Sequence, residues 1–128
     1  MWRGRVTNEE LNALHAEGLD HPCLDDDWVT RLERHSLGWV VARDDDGQLV
    51  GFVNVAWDGG VHAFVLDTLV AASHRHRGIG QALVRRAVDG AREAGCAWLH
   101  VDWDGGLDRF YLDRCGFVPT AAGLHRLR

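Results

Sequence analysis

The chain has 128 residues, enough for one domain with a hydrophobic core and too few for two. Its formal net charge of −5 argues against nucleic acid as the main partner, because phosphate binding needs a basic face. No apolar run approaches the length of a membrane span and no signal-peptide core follows the first residues, so we expect a cytoplasmic protein with no membrane partner.

The N-terminal part of the chain predicts two helices. Thr7 and Glu10 have the spacing of a capping box at the start of the first helix, and Gly18 is expected to end it. Residues Trp2–Val6, before this helix, have the pattern of a short edge strand. Three consecutive aspartates, Asp25–Asp27, precede apolar residues at helical spacing and indicate the N-terminus of the second helix. One face of the first helix carries Leu11, Leu14 and His15.

Three strand-like runs come next, over residues 38–43, 48–57 and 61–70. The first two are joined by Asp44–Gly47, whose Asp-Gly pair is a strong hairpin signal, and Asp58–Gly60 forms the second turn. Consecutive antiparallel strands exclude the parallel sheet of a dinucleotide-binding fold.

A short basic turn separates the third strand from an amphipathic helix over residues 81–94. Arg75 and Arg77 supply charged planar donors, and Gly78 and Gly80 let the backbone approach an anion without a Cβ. The free N–H groups and the dipole of the helix N-terminus point to the same place. A strand, a glycine-rich turn and a helix in this order are typical of a phosphate-binding site.

The spacing of this turn distinguishes it from other phosphate loops. A Walker A loop needs GxxxxGK[ST], but the chain has no lysine, and a GxGxxG fingerprint fails at Leu83. The remaining pattern, Arg-x-x-Gly-x-Gly, resembles motif A of the GNAT superfamily of N-acetyltransferases, which holds the pyrophosphate of acetyl-CoA. The resemblance implies that acetyl-CoA, as co-substrate, contacts Arg75, His76, Arg77, Gly78, Ile79, Gly80 and Gln81.

A second match lies in the predicted last helix, over residues 107–115. Residues 110–117 resemble motif B of the same superfamily, with Tyr111 at the position that places a phenol near the coenzyme sulfur. The resemblance implies that Tyr111, the one tyrosine in the chain, is a general acid that protonates the thiolate leaving group. Beyond this helix, residues 117–120 and 124–127 have the pattern of a short strand pair.

The resemblance covers roughly residues 37–120 and implies one GNAT-type domain over residues 1–128. The expected fold class is α/β of the α+β type, with a central mixed, mostly antiparallel sheet flanked by helices. The cofactor loop is expected between the strand that ends at Val70 and the helix that starts near Gly80.

The resemblance also assigns backbone contacts with the coenzyme. In the family, the strand before the loop pairs with pantetheine, and one of its N–H groups binds the thioester oxygen. By distance from Arg75, these positions fall on Leu69 and Val70. Asp104 stands where many members have an asparagine that contacts pantetheine, and a carboxylate cannot donate the same hydrogen bond unless it is protonated.

A general base is not singled out. Asp67 is the carboxylate nearest to the expected thioester, and His100 and Asp102 share one face of the strand predicted over residues 96–103. Each of the three is a candidate base and equally a candidate structural hydrogen-bonding group. Three cysteines without a CxxC pair and eight histidines without an HxxxH pair predict neither a metal site nor a disulfide framework.

The resemblance as a whole implies an enzyme that moves an acetyl group from acetyl-CoA to a primary amine by direct transfer in a ternary complex. The expected acceptor is a small-molecule or peptide amine, with Asp25–Asp27 as a minor candidate for an amine-attracting rim, and the protein is expected to be a monomer or homodimer. The main alternative is a non-catalytic acyl-CoA binding or sensing module of the same fold. An acetylating toxin that acts on aminoacyl-tRNA ranks last, because the chain is acidic.

Overall fold

The computed structural model describes residues 1–128. A 3-10 turn follows the third strand, and a π-helical turn lies near the C-terminus. None of the helices has the length and apolar character needed to cross a bilayer. The helices are α1 (Asn8–Leu19), α2 (Trp28–His35) and α3 (Ile79–Glu93), and the strands are β1 (Ser36–Arg43), β2 (Leu49–Trp57), β3 (His62–Val70) and β4 (Trp98–His100); the two turns span Ala72–His74 and Arg109–Arg114.

The four strands form one sheet in the order β1-β2-β3-β4. β1 with β2 and β2 with β3 are antiparallel, whereas β4 enters parallel to β3 after the α3 crossover. The hairpin turn between β1 and β2 closes because the Asp44 carboxylate accepts from the backbone N–H groups of Asp46 and Gln48 at 3.0 and 2.9 Å. The prediction of a mixed, mostly antiparallel sheet flanked by helices is therefore confirmed.

Helices cover both faces of the sheet and divide the core in two. α1 and α2 pack on one face, where Trp28, Phe52 and Leu69 are almost completely buried. α3 packs on the other face, where Val53 and Ala87 have no exposed surface. Apolar residues on both faces of β2 explain why this strand reads as a nearly continuous hydrophobic run.

Both N-terminal helices begin as predicted. Thr7 Oγ1 accepts from the N–H of Glu10 at 3.2 Å, and the Glu10 carboxylate accepts from the N–H of Thr7 at 2.8 Å, which is a complete capping box. Asp27 caps α2 by accepting from the N–H of Thr30 at 3.2 Å. α1 runs one residue past Gly18, and Asp20 ends it in the left-handed conformation.

Two predicted strands are shorter than expected. Residues Trp2–Val6 form only an isolated bridge between Trp2 and Val40, because Arg3 has a φ of 54° and leaves the extended conformation. The strand predicted over 96–103 is limited to Trp98–His100, since its pairing with β3 ends there.

The predicted C-terminal strand pair is wrong. Residues 117–128 contain no strand, and Val118, Leu124 and Leu127 are more than 80% exposed. Pro119 has no N–H to give to a ladder, and the edge strand β4 has only three residues on which to build one. The predicted last helix is a π-helical turn that a left-handed Gly116 follows.

We expect Thr7→Ala to lower the free energy of unfolding by about 1 kcal/mol, because it removes one half of the capping box at the start of α1. Thr7→Ser is the matched control, since it keeps the hydroxyl and is expected to retain most of the stability. Chemical denaturation of the three proteins measures the difference. Equal stability of the alanine and serine variants would contradict a contribution from the cap.

Candidate active site

The sheet opens between β3 and β4. The two strands pair over only three positions, and the last pair is Phe64 with His100. From Val65 to Val70 the edge of β3 has no strand partner on the side of β4. This open edge presents unpaired backbone groups to which an extended ligand can add as another strand.

A β-bulge at the start of this open edge changes the direction of the side chains. Asp67 and Thr68 of β3 both lie opposite Val53 of β2, and Asp67 has a left-handed φ of 55°, which is uncommon for a residue other than glycine. Residues four apart share a face in an unbroken strand, but here Val65 packs under α3 and Leu69 packs under α1 and α2.

After the bulge, alternate residues of β3 direct their backbone N–H and C=O groups toward β2 and toward the open edge. The N–H of Ala71 donates to the carbonyl of Val50 at 2.8 Å. Because hydrogen-bonded and non-hydrogen-bonded pairs alternate in an antiparallel ladder, Leu69 points its polar backbone groups toward β2, whereas Val70 points its groups to the open edge. Of the two predicted backbone contacts, Val70 therefore has the N–H and C=O that a ligand at this edge can reach.

The basic turn lies directly after β3 and leads into α3. Arg75 and Arg77 are exposed, and two left-handed positions, His76 with a φ of 64° and Gly78 with a φ of 79°, wind the backbone between them. Gly78 is the N-cap of α3, and no side chain caps the first N–H groups of this helix. The turn thus presents charged side chains and helix N–H groups at one point, as an anion site requires.

Contacts with the C-terminal π-helical turn hold this loop in place. A Cβ at Gly80 would lie 3.3 Å from Cε1 and Cζ of the Phe110 ring, so the missing side chain makes room for Phe110. The Gln81 side-chain amide donates to the carbonyl of Arg114 at 3.2 Å. Gly80 therefore has a packing role in addition to the predicted approach to an anion, and the two matched motifs contact each other in space.

Tyr111 is buried between the open edge of β3 and its own aromatic neighbours. Its hydroxyl lies 3.4 Å from Thr68 Oγ1, and its ring stacks on Trp103 with centroids 5.0 Å apart. Only 6% of the residue is exposed. Burial raises the pKa of the phenol above its ordinary value; the Thr68 hydrogen bond opposes this shift, and the charge of Asp102 adds to it. Tyr111 is therefore protonated at neutral pH.

On the opposite side of the bulge, Asp67 contacts His15, which in turn contacts His21, and sequence reasoning missed the role of both histidines. His15 Nε2 lies 3.1 Å from Asp67 Oδ1, and His15 Nδ1 lies 2.6 Å from His21 Nε2. His15 comes from α1 and shares a face with Leu11, a signal that it points inward, but nothing in the sequence indicates its partner.

The other candidate bases lie away from this cluster. His100 is exposed, lies 2.8 Å from His62 through ring nitrogens and stacks on Phe64, near the start of β3. Asp102 lies beyond the end of β4, so the expectation that it shares a strand face with His100 is wrong. Asp104 is exposed in the loop that precedes the π-helical turn.

The acidic triplet is used mainly for structure. Asp27 caps α2, and the carboxylate of Asp26 lies 3.6 Å from the guanidinium of Arg31. Only Asp25 is left without such a contact, which weakens the case for an amine-attracting rim.

A separate cleft of about 460 Å³, lined in part by Arg3 and Trp39, lies between the N-terminal arm and α2, away from the basic turn. No group of three or more His, Cys, Asp or Glu side chains is arranged to hold a metal ion.

Comparison with known proteins identifies the family. The chain matches the Acetyltransferase (GNAT) family over residues 6–117. Over 60 residues it is 45% identical to the "Probable glucosamine 6-phosphate N-acetyltransferase 2" of Oryza sativa subsp. japonica, a match that covers 47% of this chain and 36% of the rice protein. The chain thus spans about a third of the length of that relative.

Solved structures with the same fold extend the match to the whole chain. A GNAT-family acetyltransferase from Streptococcus pneumoniae TIGR4 has a TM-score of 0.78 at 20% identity, covering 100% of this chain and 96% of that one. A GNAT N-acetyltransferase from Escherichia coli in complex with CoA has a TM-score of 0.68 at 21% identity, covering 92% of this chain and 68% of that one. With the family match over most of its length, this chain belongs to the GNAT family of acetyltransferases.

Proposed function

We propose that this protein transfers an acetyl group from acetyl-CoA to a primary amine by direct attack in a ternary complex. The observation that carries the proposal is the position of Tyr111, whose buried, protonated hydroxyl lies 3.4 Å from Thr68 on the open edge of β3. A proton donor at this place is what a departing thiolate needs. The family match and the N-acetyltransferase name of the rice relative support the same reaction.

The coenzyme is proposed to lie along the open edge, from the basic turn to Tyr111. Its pyrophosphate would contact Arg75, Arg77 and the N–H groups at the start of α3, where helix dipole and guanidinium charge both favour an anion. Its pantetheine arm would pair with the backbone of Val70 as an added strand. This arrangement would place the thioester beside the bulge, with Tyr111 on one side.

Counted from the neutral amine and the thioester, the transfer gives the amide and the thiol with no net proton released. The neutral amine attacks the thioester carbonyl, a C–N bond forms, the C–S bond breaks, and the thiolate takes a proton from Tyr111. The amide nitrogen then gives up a proton that restores the phenol. An amine that arrives as an ammonium ion has one further proton to lose. Burial raises the pKa of Cys96 and Cys115, which disfavours the reactive thiolate that an acetyl-cysteine intermediate needs.

A non-catalytic acyl-CoA binding module is the alternative that Asp104 favours. Its exposed carboxylate stands where many family members have a pantetheine-binding asparagine. Such a module would bind the coenzyme through the same edge and loop, but would have no use for a buried proton donor at Tyr111. The two functions differ in whether an amine is acetylated, and a panel of amines with acetyl-CoA distinguishes them.

We expect Tyr111→Phe to lower kcat by about 100-fold, because the thiolate loses its proton donor. The dissociation constant for acetyl-CoA is expected to change little, since the aromatic packing on Trp103 is kept. Thr68→Val is the companion variant: it removes the hydroxyl partner, retains the phenol and should have a smaller effect. Steady-state kinetics and calorimetry measure both quantities. An unchanged kcat in Tyr111→Phe would exclude the acid role.

Because the chain has one tyrosine, its ionisation can be followed by the ultraviolet absorbance of the phenolate without assignment. Burial raises the folded-state pKa of Tyr111, so the unfolded chain releases this proton first, near pH ~10. The associated stability is therefore fully present below that pH and is lost as the pH rises through the folded-state pKa. We expect the native protein to titrate at higher pH than the urea-unfolded protein; the reverse order would contradict the burial of the hydroxyl.

Calorimetric titration tests the coenzyme site, and acetyl-CoA is expected to bind where ATP does not, because ATP has no pantetheine to pair with β3. Arg75→Ala should weaken acetyl-CoA binding by about tenfold or more, since a charge-assisted hydrogen bond contributes about 1.5–3 kcal/mol. Arg92→Ala is the matched control, because Arg92 lies at the other end of α3 and pairs with Asp89 at 3.2 Å. Equal effects of the two substitutions would place the coenzyme elsewhere.

A further inference from the structure

A continuous chain of polar contacts runs from the loop after α1 to the bulge in β3. His21 Nδ1 lies 2.6 Å from the carbonyl oxygen of Pro22, and His21 Nε2 lies 2.6 Å from His15 Nδ1. His15 Nε2 then lies 3.1 Å from Asp67 Oδ1. Two imidazole rings therefore join a backbone carbonyl to a carboxylate through three hydrogen-bonded links.

The two ends of this chain determine how many protons it needs. A carbonyl oxygen and an ionised carboxylate are both acceptors only, and each of the three links needs one proton between its two atoms. Two neutral imidazoles carry one N–H each, which leaves the chain one proton short. All three links are made only when the His15–His21 pair holds one additional proton, whose positive charge the Asp67 carboxylate balances.

The other histidine pair in the protein provides a contrast. His62 and His100 also lie within hydrogen-bond distance, with ring nitrogens 2.8 Å apart. This pair has one link and no carbonyl or carboxylate at its ends, so a single N–H satisfies it and both rings can be neutral. The need for an extra proton is therefore particular to His15 and His21.

The charged groups around His15 act on an extra proton in both directions, since the Asp67 carboxylate favours it and the Arg31 guanidinium opposes it. Asp67 faces it from β3, and the Trp28 ring of α2 lies at a centroid distance of 5.3 Å. Beyond that ring, the Arg31 guanidinium is 4.3 Å from the Trp28 centroid. The Glu17 carboxylate, on α1 itself, accepts a hydrogen bond from the N–H of Ala72 at 3.0 Å, so its contact is with the backbone that follows β3.

The pair is also open to solvent, and it meets β3 at the same bulge as Tyr111 does. The side chains of His15 and Asp67 are 19% and 25% exposed, so protons can enter and leave. Asp67 uses Oδ1 for His15, and its other oxygen, Oδ2, makes no hydrogen bond within the protein. The next residue, Thr68, contacts the hydroxyl of Tyr111.

We propose that the His15–His21 pair, reached through Asp67, accepts the proton that the incoming ammonium group must lose before it attacks acetyl-CoA. This inference rests on the proposed acetyl transfer. Before this step the pair holds two ring protons and Asp67 is ionised, so the link between His15 and Asp67 has no proton. The ammonium gives one proton to the Asp67 carboxylate, and the carboxyl group turns this proton toward His15 and passes it to Nε2, which completes the three-link chain and leaves Asp67 ionised again. The neutral amine then attacks, Tyr111 protonates the thiolate, and the pair later returns its proton to solvent. Asp67 is the group that contacts the amine, and the two histidines are positioning residues that store the proton.

The kinetic test compares His15→Gln and His21→Gln with His62→Gln, which removes one ring of the contrasting pair. In the wild type, kcat/KM is expected to rise with pH as the pair releases its stored proton. Both test variants should lower kcat by about 100-fold and lose this rise, while the affinity for acetyl-CoA stays the same. His62→Gln should match the wild type. Test variants with wild-type pH profiles would overturn the proposal.

A second measurement does not depend on turnover. Long-range ¹H–¹⁵N spectra of histidine-labelled protein report the protonation of each ring nitrogen, and the variants assign the signals. His15 and His21 are expected to take up a single proton between them, with Asp67→Asn abolishing this shared uptake. Asn is chosen because it tolerates the left-handed backbone of Asp67. Two rings that titrate independently would overturn the proposal.

The two measurements also keep the proposed function distinct from this inference. A wild type that binds acetyl-CoA but acetylates no amine would overturn the acetyl-transfer function, and with it the role of the pair as an acceptor. An active wild type whose His15→Gln variant is equally active would overturn the pair alone. Circular dichroism and thermal unfolding of each variant show whether a loss of rate arises from a loss of fold.

Discussion

The extra residue in β3 is the feature on which the site depends. Because Asp67 and Thr68 both lie opposite Val53, the side chains of β3 exchange faces after the bulge. Leu69 therefore packs under α1 and α2 instead of under α3. β3 also pairs with β4 over only three positions, the last at Phe64, which leaves its second half without a partner on that side. The bulge thus gives Asp67 and Thr68 separate directions at an edge where the backbone of Val70 is unpaired.

This arrangement has a conformational cost that the core offsets. A non-glycine residue held in the left-handed region costs about 1–3 kcal/mol. Burial of Leu69, which is 1% exposed after the turn, contributes about 1.5–3 kcal/mol. The contact between His15 Nε2 and Asp67 Oδ1 at 3.1 Å also offsets this cost. A glycine at position 67 would remove the strain, but it would also remove the carboxylate that joins α1 to the bulge.

Local chemistry explains which parts of the fold were predictable. The capping box at Thr7, the cap at Asp27 and the Asp44 hairpin each depend on residues within four positions of one another, and each is present. The loop and the last turn were predictable because Gly78 and Gly116 occupy left-handed positions that the motifs require.

The parts that were not predictable depend on distant residues. The run through Asp67 and Thr68 reads as an ordinary strand, and only its pairing with β2 shows the additional residue. β4 was predicted too long because the sequence pattern does not show that its pairing with β3 ends at His100, so Asp102 was placed on a strand that ends before it. His15 and Asp67 are 52 positions apart, so no local pattern joins them. The apolar pattern after Phe117 suggested strands, but it has no adjacent edge long enough to pair with.

The N-terminal helix, which carries no motif, joins the elements around the bulge to one another. Near its start, Glu10 binds the guanidinium of Arg43 on β1 through two contacts at 2.9 and 2.8 Å. Near its end, Glu17 holds the chain after β3, and between them His15 reaches Asp67. Three charged or polar contacts along one helix tie β1, the bulge and the start of the basic loop to a single rigid element. A transfer reaction needs the amine, the thioester and the proton acceptor in constant relative positions, and α1 is the element that connects the side of the bulge carrying Asp67 to the loop carrying Arg75.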